Sequence, residues 1–427
     1  MSATAGAEPA EQQLPVGSRG SLAAPYDRRL YGGELPENES VTPQSSAAPR
    51  RRVVLLGATG SIGRQCCDVI ERFPDRFELV GVVGGSDVPA LADVARRFGV
   101  SRSAVVSPSS DPGGVATGLA AACDIAAMEA DVVCVAIPGA AALQPTLAAL
   151  DAGTTVATAT KEVLVMAGEL VKRRAAATGA RILPVDSEHS ALWQCLRGES
   201  AASVQRLVLT ASGGPFRTRD LDGFATITVA EALRHPTWVM GPKVTIDSAT
   251  MMNKGLEIIE AHFLFDVDYA RIDVVIHPTS IVHSMVEFID GAVIAQLGVP
   301  DMRVPIALAI ADGARLPGIA DPPQLSALPP LEFYGVDEAR FPAVGIARRA
   351  GERGGVTPAV LNAANEVAVD AFLHHGLPFP DLVELVGDAV DAAPRIEEPS
   401  LDDVLAADRW ARQRLRGQAP TSALAQA

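Results

Sequence analysis

The most constraining stretch of this 427-residue chain is Val53-Val54-Leu55-Leu56, followed at once by Gly57, Gly60 and Gly63 and then by the helical pattern of Cys67, Val69 and Ile70. An apolar run without alternation has no solvent face. It predicts a strand buried on both sides, as in a parallel sheet covered by helices. The glycines at its end predict a tight turn into a helix. A second buried strand is expected at 77–83. Further strands are expected at 104–106, 131–137, 154–159 and 181–185, with alanine-rich helices at 141–152 and 163–178. Strands alternating with helices predict a doubly wound parallel sheet, which binds ligands beyond the carboxyl ends of its strands.

Beyond residue 185 the pattern changes. Strands are expected at 207–210, 274–278, 280–288 and 293–297, a proline-rich surface linker at 313–342, and helices from 343 to 416, one starting at 361. The predicted class is α/β. It has an N-terminal Rossmann-like domain (51–185), a central α+β domain (186–312) with a lid loop at 235–243, and a C-terminal α-helical domain (343–416). Residues 1–50 and 417–427 read as tails. His277 and His283 sit inside strand patterns and are expected to be structural.

Hydrophobic residues make up 48% of the chain, enough for a large core. A net charge of -15 and a pI of about 5.0 argue against nucleic acid or an anionic membrane as the main partner. Five cysteines without a C-x-x-C pair argue against a disulfide framework or zinc knuckle. No apolar run reaches the roughly 18 residues of a membrane span, and the first 50 residues lack a secretory apolar segment. The expected location is the cytoplasm.

Four places carry chemistry. Gly57-x-x-Gly60-x-x-Gly63 is a variant of the dinucleotide fingerprint, whose turn and helix N-terminus suit a pyrophosphate; it also fits a ligand-free turn. Asp186 and Glu188 follow a strand two residues apart. In extended backbone they share a face and suit a hard divalent ion; alternatively Asp186 caps a helix and Glu188 is solvated. Ser212 with Gly213 and Gly214 suits a phosphate contact or an ordinary turn. Residues 235–257 read as a loop to Lys243, an alternating piece at 244–247, and a helix from Ser248 that puts Asn253 and Glu257 on one face beside Lys254.

With these residues on the page, the chain resembles the 1-deoxy-D-xylulose 5-phosphate reductoisomerase family. The matching pieces are 57–63, 184–190, 209–217, 235–257, 276–278 with 283–285, 301–303 and 361–366, in family order from about 52 to 415. The resemblance implies rearrangement of 1-deoxy-D-xylulose 5-phosphate and its NADPH-dependent reduction to 2-C-methyl-D-erythritol 4-phosphate, in the non-mevalonate route to isoprenoids. It implies Mn²⁺ or Mg²⁺, with Co²⁺ also suited, on Asp186, Glu188 and Glu257. It places Ser212, His235, Ser248, Asn253 and Lys254 around the substrate phosphate, Lys161 and Ser187 at sugar hydroxyls, and Trp238 over the substrate. Thr59, Gly60, Ser61, Ile62, Gly85, Ser86, Asp87, Thr160, Glu162 and Gly241 would face NADPH. A homodimer is implied too.

Three departures stand out. Thr160 replaces the usual asparagine, Pro138 replaces the usual valine, and Ser86-Asp87 replaces a commonly basic or amide ribose loop. Asp87 predicts weakened discrimination for NADPH over NADH. Thr160 and Pro138 leave open a related phosphorylated sugar as substrate. A non-catalytic NADPH-binding protein is disfavoured by the full set of carboxylates and phosphate contacts.

Overall fold

The computed structural model describes residues 49–417; the expected tails lie almost wholly outside them. The chain opens β1 (Arg51–Leu56), α1 (Ser61–Arg72), β2 (Phe77–Gly84), α2 (Val88–Phe98), β3 (Ser103–Val105), β4 (Ala116–Thr117), α3 (Gly118–Ala126), β5 (Val132–Val135), α4 (Leu143–Asp151), β6 (Thr155–Thr158), α5 (Glu162–Thr178) and β7 (Ile182–Pro184). All seven strands are parallel, in the order β4-β3-β2-β1-β5-β6-β7. The order reverses between β1 and β5, which opens a crevice beyond their carboxyl ends. Residues 53–56 are wholly buried, as their unbroken hydrophobicity required.

Two of the three fingerprint glycines are sterically obligatory. Gly57 has φ +91°, and a Cβ there would lie 2.3 Å from the Ala136 carbonyl oxygen. A Cβ on Gly63 would lie 2.2 Å from the Gly57 oxygen. Gly60 is extended (φ -76°, ψ 177°) and only begins α1. No side chain caps α1 and no acid occupies its first turn, so the amides of residues 61–63 point outward without a helical partner.

The chain continues through α6 (Ser187–Cys195), β8 (Val204–Ala211), α7 (Val229–Ala232), α8 (Pro242–Ala249), α9 (Met252–Phe265), β9 (Ile272–Ile276), β10 (Val282–Phe288), β11 (Val293–Leu297), α10 (Arg303–Ile310) and β12 (Tyr334–Gly335). The second sheet runs β11-β10-β8-β9-β12; only β8 and β9 are parallel. The expected linker at 313–342 therefore supplies an edge strand, β12 on β9. Four helices complete the described chain: α11 (Ala343–Arg353), α12 (Thr357–His375), α13 (Phe379–Asp391) and α14 (Leu401–Gly417). The helix expected from 361 starts four residues earlier, at Thr357, with Pro358 in its first turn.

Residues 235–257 fold differently from the expectation. Positions 244–247 are helical, within α8, and Ser248 lies near the end of that helix. Met251, left-handed at φ 64° although not glycine, separates α8 from α9. Thr250 Oγ1 accepts from Met252 N at 3.3 Å across the break. The Ser/Thr pair thus serves a helix-to-helix turn rather than a simple N-cap. α9 is buried against α5 and α11. A Cβ on Gly168 of α5 would lie 2.2 Å from the Phe263 ring, so the close crossing of α5 and α9 depends on that glycine.

Candidate active site

A cavity of about 200 Å³ opens where the two sheets present their strand ends. Its walls carry Ser61 and Ile62 from α1, Lys161 and Glu162 from the start of α5, Asp186, Ser187 and Glu188 from the start of α6, and Ser212 from the end of β8. Residues 238–241 with His235, and Ser248, Asn253 and Lys254, complete them.

Asp186 caps α6, accepting from Ser187 N at 3.0 Å, and Glu188 lies in the first turn. The extended geometry expected for this pair is absent. The carboxylates still converge, because the cap and the first turn both face the cavity. Glu188 is no solvated acid: Lys254 Nζ lies 2.9 Å from Oε1, and the Ser187 hydroxyl donates to Oε2 at 2.5 Å. Glu257, wholly buried on α9, lies behind the cavity lining. It accepts from Asn253 Nδ2 at 2.5 Å and Lys161 Nζ at 3.2 Å, and it pairs with Lys254. Lys161 Nζ also lies 2.5 Å from Asp186 Oδ2. Three carboxylates and two ammonium groups thus form one cluster. One oxygen from each of Asp186, Glu188 and Glu257 lies within 4.8 Å of the other two.

The electrostatics follow from burial and these partners. Desolvation, then the Glu188 charge, pushes Glu257 up to about 7. Burial alone would raise Glu188, but Lys254 and Ser187 hold it far below the usual carboxylate range. Burial would lower Lys161 and Lys254, and the carboxylates overcome it in both. Behind the cluster, His189 Nε2–H donates to the Glu257 carbonyl at 2.9 Å, so Nδ1 is left as an acceptor. Glu260 Oε2 lies 3.2 Å from Nδ1. Desolvation, then Asp186, raises Glu260 well above the carboxylate range. The 3.2 Å contact is not a hydrogen bond, so the ring is held through Nε2 on the Glu257 carbonyl.

The Ser212 wall of the cavity is equally ordered. His235 Nδ1 accepts from Thr237 N at 3.2 Å and from Trp238 N at 2.9 Å. Its Nε2–H therefore donates to Ser212 Oγ at 2.9 Å. Gly214 N also donates to that oxygen, at 3.2 Å, which leaves the Ser212 hydroxyl proton to donate elsewhere. A Cβ on Gly214 would lie 2.7 Å from the Ser248 carbonyl, so this glycine lets Ser212 and Ser248 approach. Burial holds His235 below the ordinary histidine value. The neutral ring, which orders Thr237 and Trp238, is thus kept near pH 7 and lost only as pH falls through a value below that of a free histidine. We expect the amide protection of Thr237 and Trp238 in hydrogen exchange to drop along the His235 titration followed by NMR. Protection independent of that titration would refute the assignment.

Several expected residues lie elsewhere. Thr160 is buried away from the cavity lining, and its hydroxyl donates to the Ile137 carbonyl at 2.7 Å. It closes the ends of β5 and β6 rather than facing a cofactor. Asp87 caps α2 through Ala90 N at 2.9 Å. Thr59, Gly60, Gly85 and Ser86 are outside the cavity lining, along the β1 and β2 ends of the crevice. His277 is structural as expected: buried, with Nδ1 donating to the Glu332 carbonyl at 2.8 Å. His283 instead lines the cavity, its ring 6.1 Å from that of Trp238. Met302, Lys243 and Asp247 also line it without having been anticipated. Lys243 carried no signal in the sequence, because its place in the first turn of α8 emerges only from the fold.

Three family models match the chain. They describe the 1-deoxy-D-xylulose 5-phosphate reductoisomerase (residues 53–168) and two of its C-terminal domains (182–265 and 297–414). The 1-deoxy-D-xylulose 5-phosphate reductoisomerase of Pelotomaculum thermopropionicum is 48% identical over 85% of this chain and 97% of its own length. This chain belongs to the 1-deoxy-D-xylulose 5-phosphate reductoisomerase family. The reductoisomerase of Mycolicibacterium smegmatis is 50% identical over 88% of this chain and 96% of its own. Among solved structures, the Zymomonas mobilis reductoisomerase in complex with NADPH is similar at a TM-score of 0.80 and 42% identity, covering 86% of this chain and 98% of its own. A reductoisomerase in complex with NADPH, fosmidomycin and magnesium also matches at 0.80, with 37% identity over 86% of this chain and 100% of its own. The reductoisomerase fold thus accounts for both sheets and the C-terminal helices.

Proposed function

We propose that this chain converts 1-deoxy-D-xylulose 5-phosphate to 2-C-methyl-D-erythritol 4-phosphate with NADPH and a divalent metal. One observation carries the reading: a three-carboxylate, two-lysine cluster faces the uncapped start of α1 across a single cavity. The donor set fits a hard dication. It offers only carboxylate oxygens, its three acids outnumber its two lysines by one charge, and its members already converge. Asp186, Glu188 and Glu257 would hold Mg²⁺ or Mn²⁺, with Co²⁺ also compatible. A metal there supplies Lewis-acid polarisation of the substrate carbonyl, which carbon–carbon cleavage and hydride addition both need.

The chain's own residues do the rest. Lys161 and Ser187 stand beside the carboxylates, where a sugar's hydroxyls would be oriented. The free Ser212 proton, Ser248, Asn253 and Lys254 offer donors to the phosphate, and His235 fixes Ser212. Trp238 covers the cavity and excludes water. The unpaired amides of Ser61, Ile62 and Gly63 suit the cofactor's pyrophosphate, continued by Thr59 and Gly60, with Gly85 and Ser86 toward the ribose and Glu162 and Gly241 toward the nicotinamide. Thr160 and Pro138, which left a related sugar open, both have structural roles: Pro138 begins a short turn before α4, and Thr160 bonds Ile137.

The test is NADPH oxidation on adding 1-deoxy-D-xylulose 5-phosphate and Mg²⁺ or Mn²⁺, with the product identified by mass spectrometry. No oxidation would overturn the reading. Asp87 Oδ1 caps α2 by accepting from Ala90 N, a structural role that accounts for an acid at this position without a 2′-hydroxyl partner. We expect kcat/KM to favour NADPH by at least about tenfold; equal values would restore the expectation of weak discrimination.

We further propose a homodimer. β11 is an edge strand with Val293, Ile294 and Leu297 exposed, a row that invites pairing with another chain. Ile294→Lys is expected to shift the sedimenting species from dimer to monomer; an unchanged dimer would remove β11 from the interface. Among the described residues no helix is long and apolar enough to cross a membrane.

A further inference from the structure

The segment 235–241 is tied down at its two ends by different sheets. At its start, His235 holds Ser212 at the end of β8. At its far end, two residues past Gly241, Lys243 Nζ lies 2.8 Å from Glu162 Oε1, at the start of the helix that follows β6. Between these feet Val239 is 98% exposed, while Trp238 lies against His283 and the Thr237 hydroxyl donates to the Pro278 carbonyl at 3.4 Å. Lys243 also lies 2.9 Å from Asp247 Oδ2, and the other oxygen of Asp247 accepts from Asn365 Nδ2 of α12 at 2.7 Å.

The position is costly on local rules. Lys243 sits in the first turn of α8, at the positive end of the helix. It is largely buried, and burial disfavours its charge, yet Asp247 and Glu162 hold the ammonium protonated. Asp247 is the i+4 neighbour on the same helix, but Glu162 comes from another element; a residue that violates local preference and is compensated in part from a distant element points to a tertiary task. Lys243 is the junction of three elements: the helix after the lid, the helix after β6, and α12.

We propose that Lys243 is a positioning residue for the reaction, clamping the far foot of 235–241 to the nucleotide-binding sheet so that Trp238 and Gly241 stand over the cavity. The proposal rests on the reading of this segment as the cover of the substrate site. Without the ammonium, Glu162 and Asp247 repel each other across the clamp, and the lid keeps only its contacts to the second sheet, through His235, Thr237 and Trp238.

The test has two arms. In the first, chymotryptic cleavage after Trp238 is followed on the intact protein without ligands. Lys243→Met is expected to raise that rate roughly tenfold, because cleavage tracks the open population. Lys243→Arg, which can still reach both carboxylates, is expected to restore most of the protection. In the second, Lys243→Met is expected to raise KM for the phosphosugar about tenfold and to lower kcat with it, as hinge changes do. Parental cleavage and KM in Lys243→Met, or a lower Tm with neither moving, would overturn the proposal. Should that variant not fold, Glu162→Gln loosens the same clamp, and a parental cleavage rate there overturns it equally. The cleavage arm needs no turnover, so it is read independently of the assigned reaction.

Discussion

Glu257→Gln is expected to lower turnover by about two to three orders of magnitude while the protein stays folded. The carboxylate is wholly buried between Lys161, Lys254 and Asn253. A bound metal contributes several kcal/mol of transition-state stabilisation that a lost ligand forfeits, and each step of about 1.4 kcal/mol is tenfold. The fold survives because each lysine keeps another carboxylate, Asp186 for Lys161 and Glu188 for Lys254. The cluster's charge of one net negative becomes zero, so it no longer favours a dication. Calorimetric titration with Mg²⁺ should show the loss of affinity alongside the loss of rate. A parental rate would sink the assignment of Glu257 to the metal.

Gly57→Ala has the largest expected effect on the fold itself. At φ +91° the backbone is in the region L residues avoid, at a cost of about 1–3 kcal/mol. The new Cβ would also lie 2.3 Å from the Ala136 oxygen and 2.9 Å from Ile137 N. Both atoms belong to the backbone leaving β5 and cannot move without opening the sheet at the crevice. A total loss of roughly 3 kcal/mol or more is expected, read as a lower denaturation midpoint together with lost NADPH binding. Gly60→Ala, at an extended glycine whose Cβ would lie 3.3 Å from the Gly57 oxygen, should cost far less. Equal stability of the two variants would refute this division of roles.

What was legible in advance follows from period and from local stereochemistry. Residues 53–56 could only be a doubly buried strand, and the glycine turn after them could only pack as it does. The alternation of strands and helices up to residue 185 implied the parallel sheet. Residues 244–248 were misread because hydroxyl residues serve equally as a helix start and within a helix-to-helix turn. The left-handed Met251 that decides between them is set by packing, not by local preference. Thr160 looked like a cofactor contact from its place in the motif, yet its hydroxyl faces Ile137. Only the pairing of β5 with β6 could show that.

The sequence alone determined the class of the first sheet, the family, and the candidates for the carboxylate cluster, because each depends on short-range patterns or on a long specific string. The tertiary structure alone decided how the cluster is neutralised. Asp186, Glu188 and Glu257 meet because a helix cap, a first turn and a buried face of α9 converge from separate elements, with Lys161 and Lys254 between them. It likewise decided that Lys243, paired with Asp247 on α8, reaches Glu162 on α5. Coulomb interactions act through space, so partners 81 residues apart, as Lys243 and Glu162 are, leave no mark in the order of the chain.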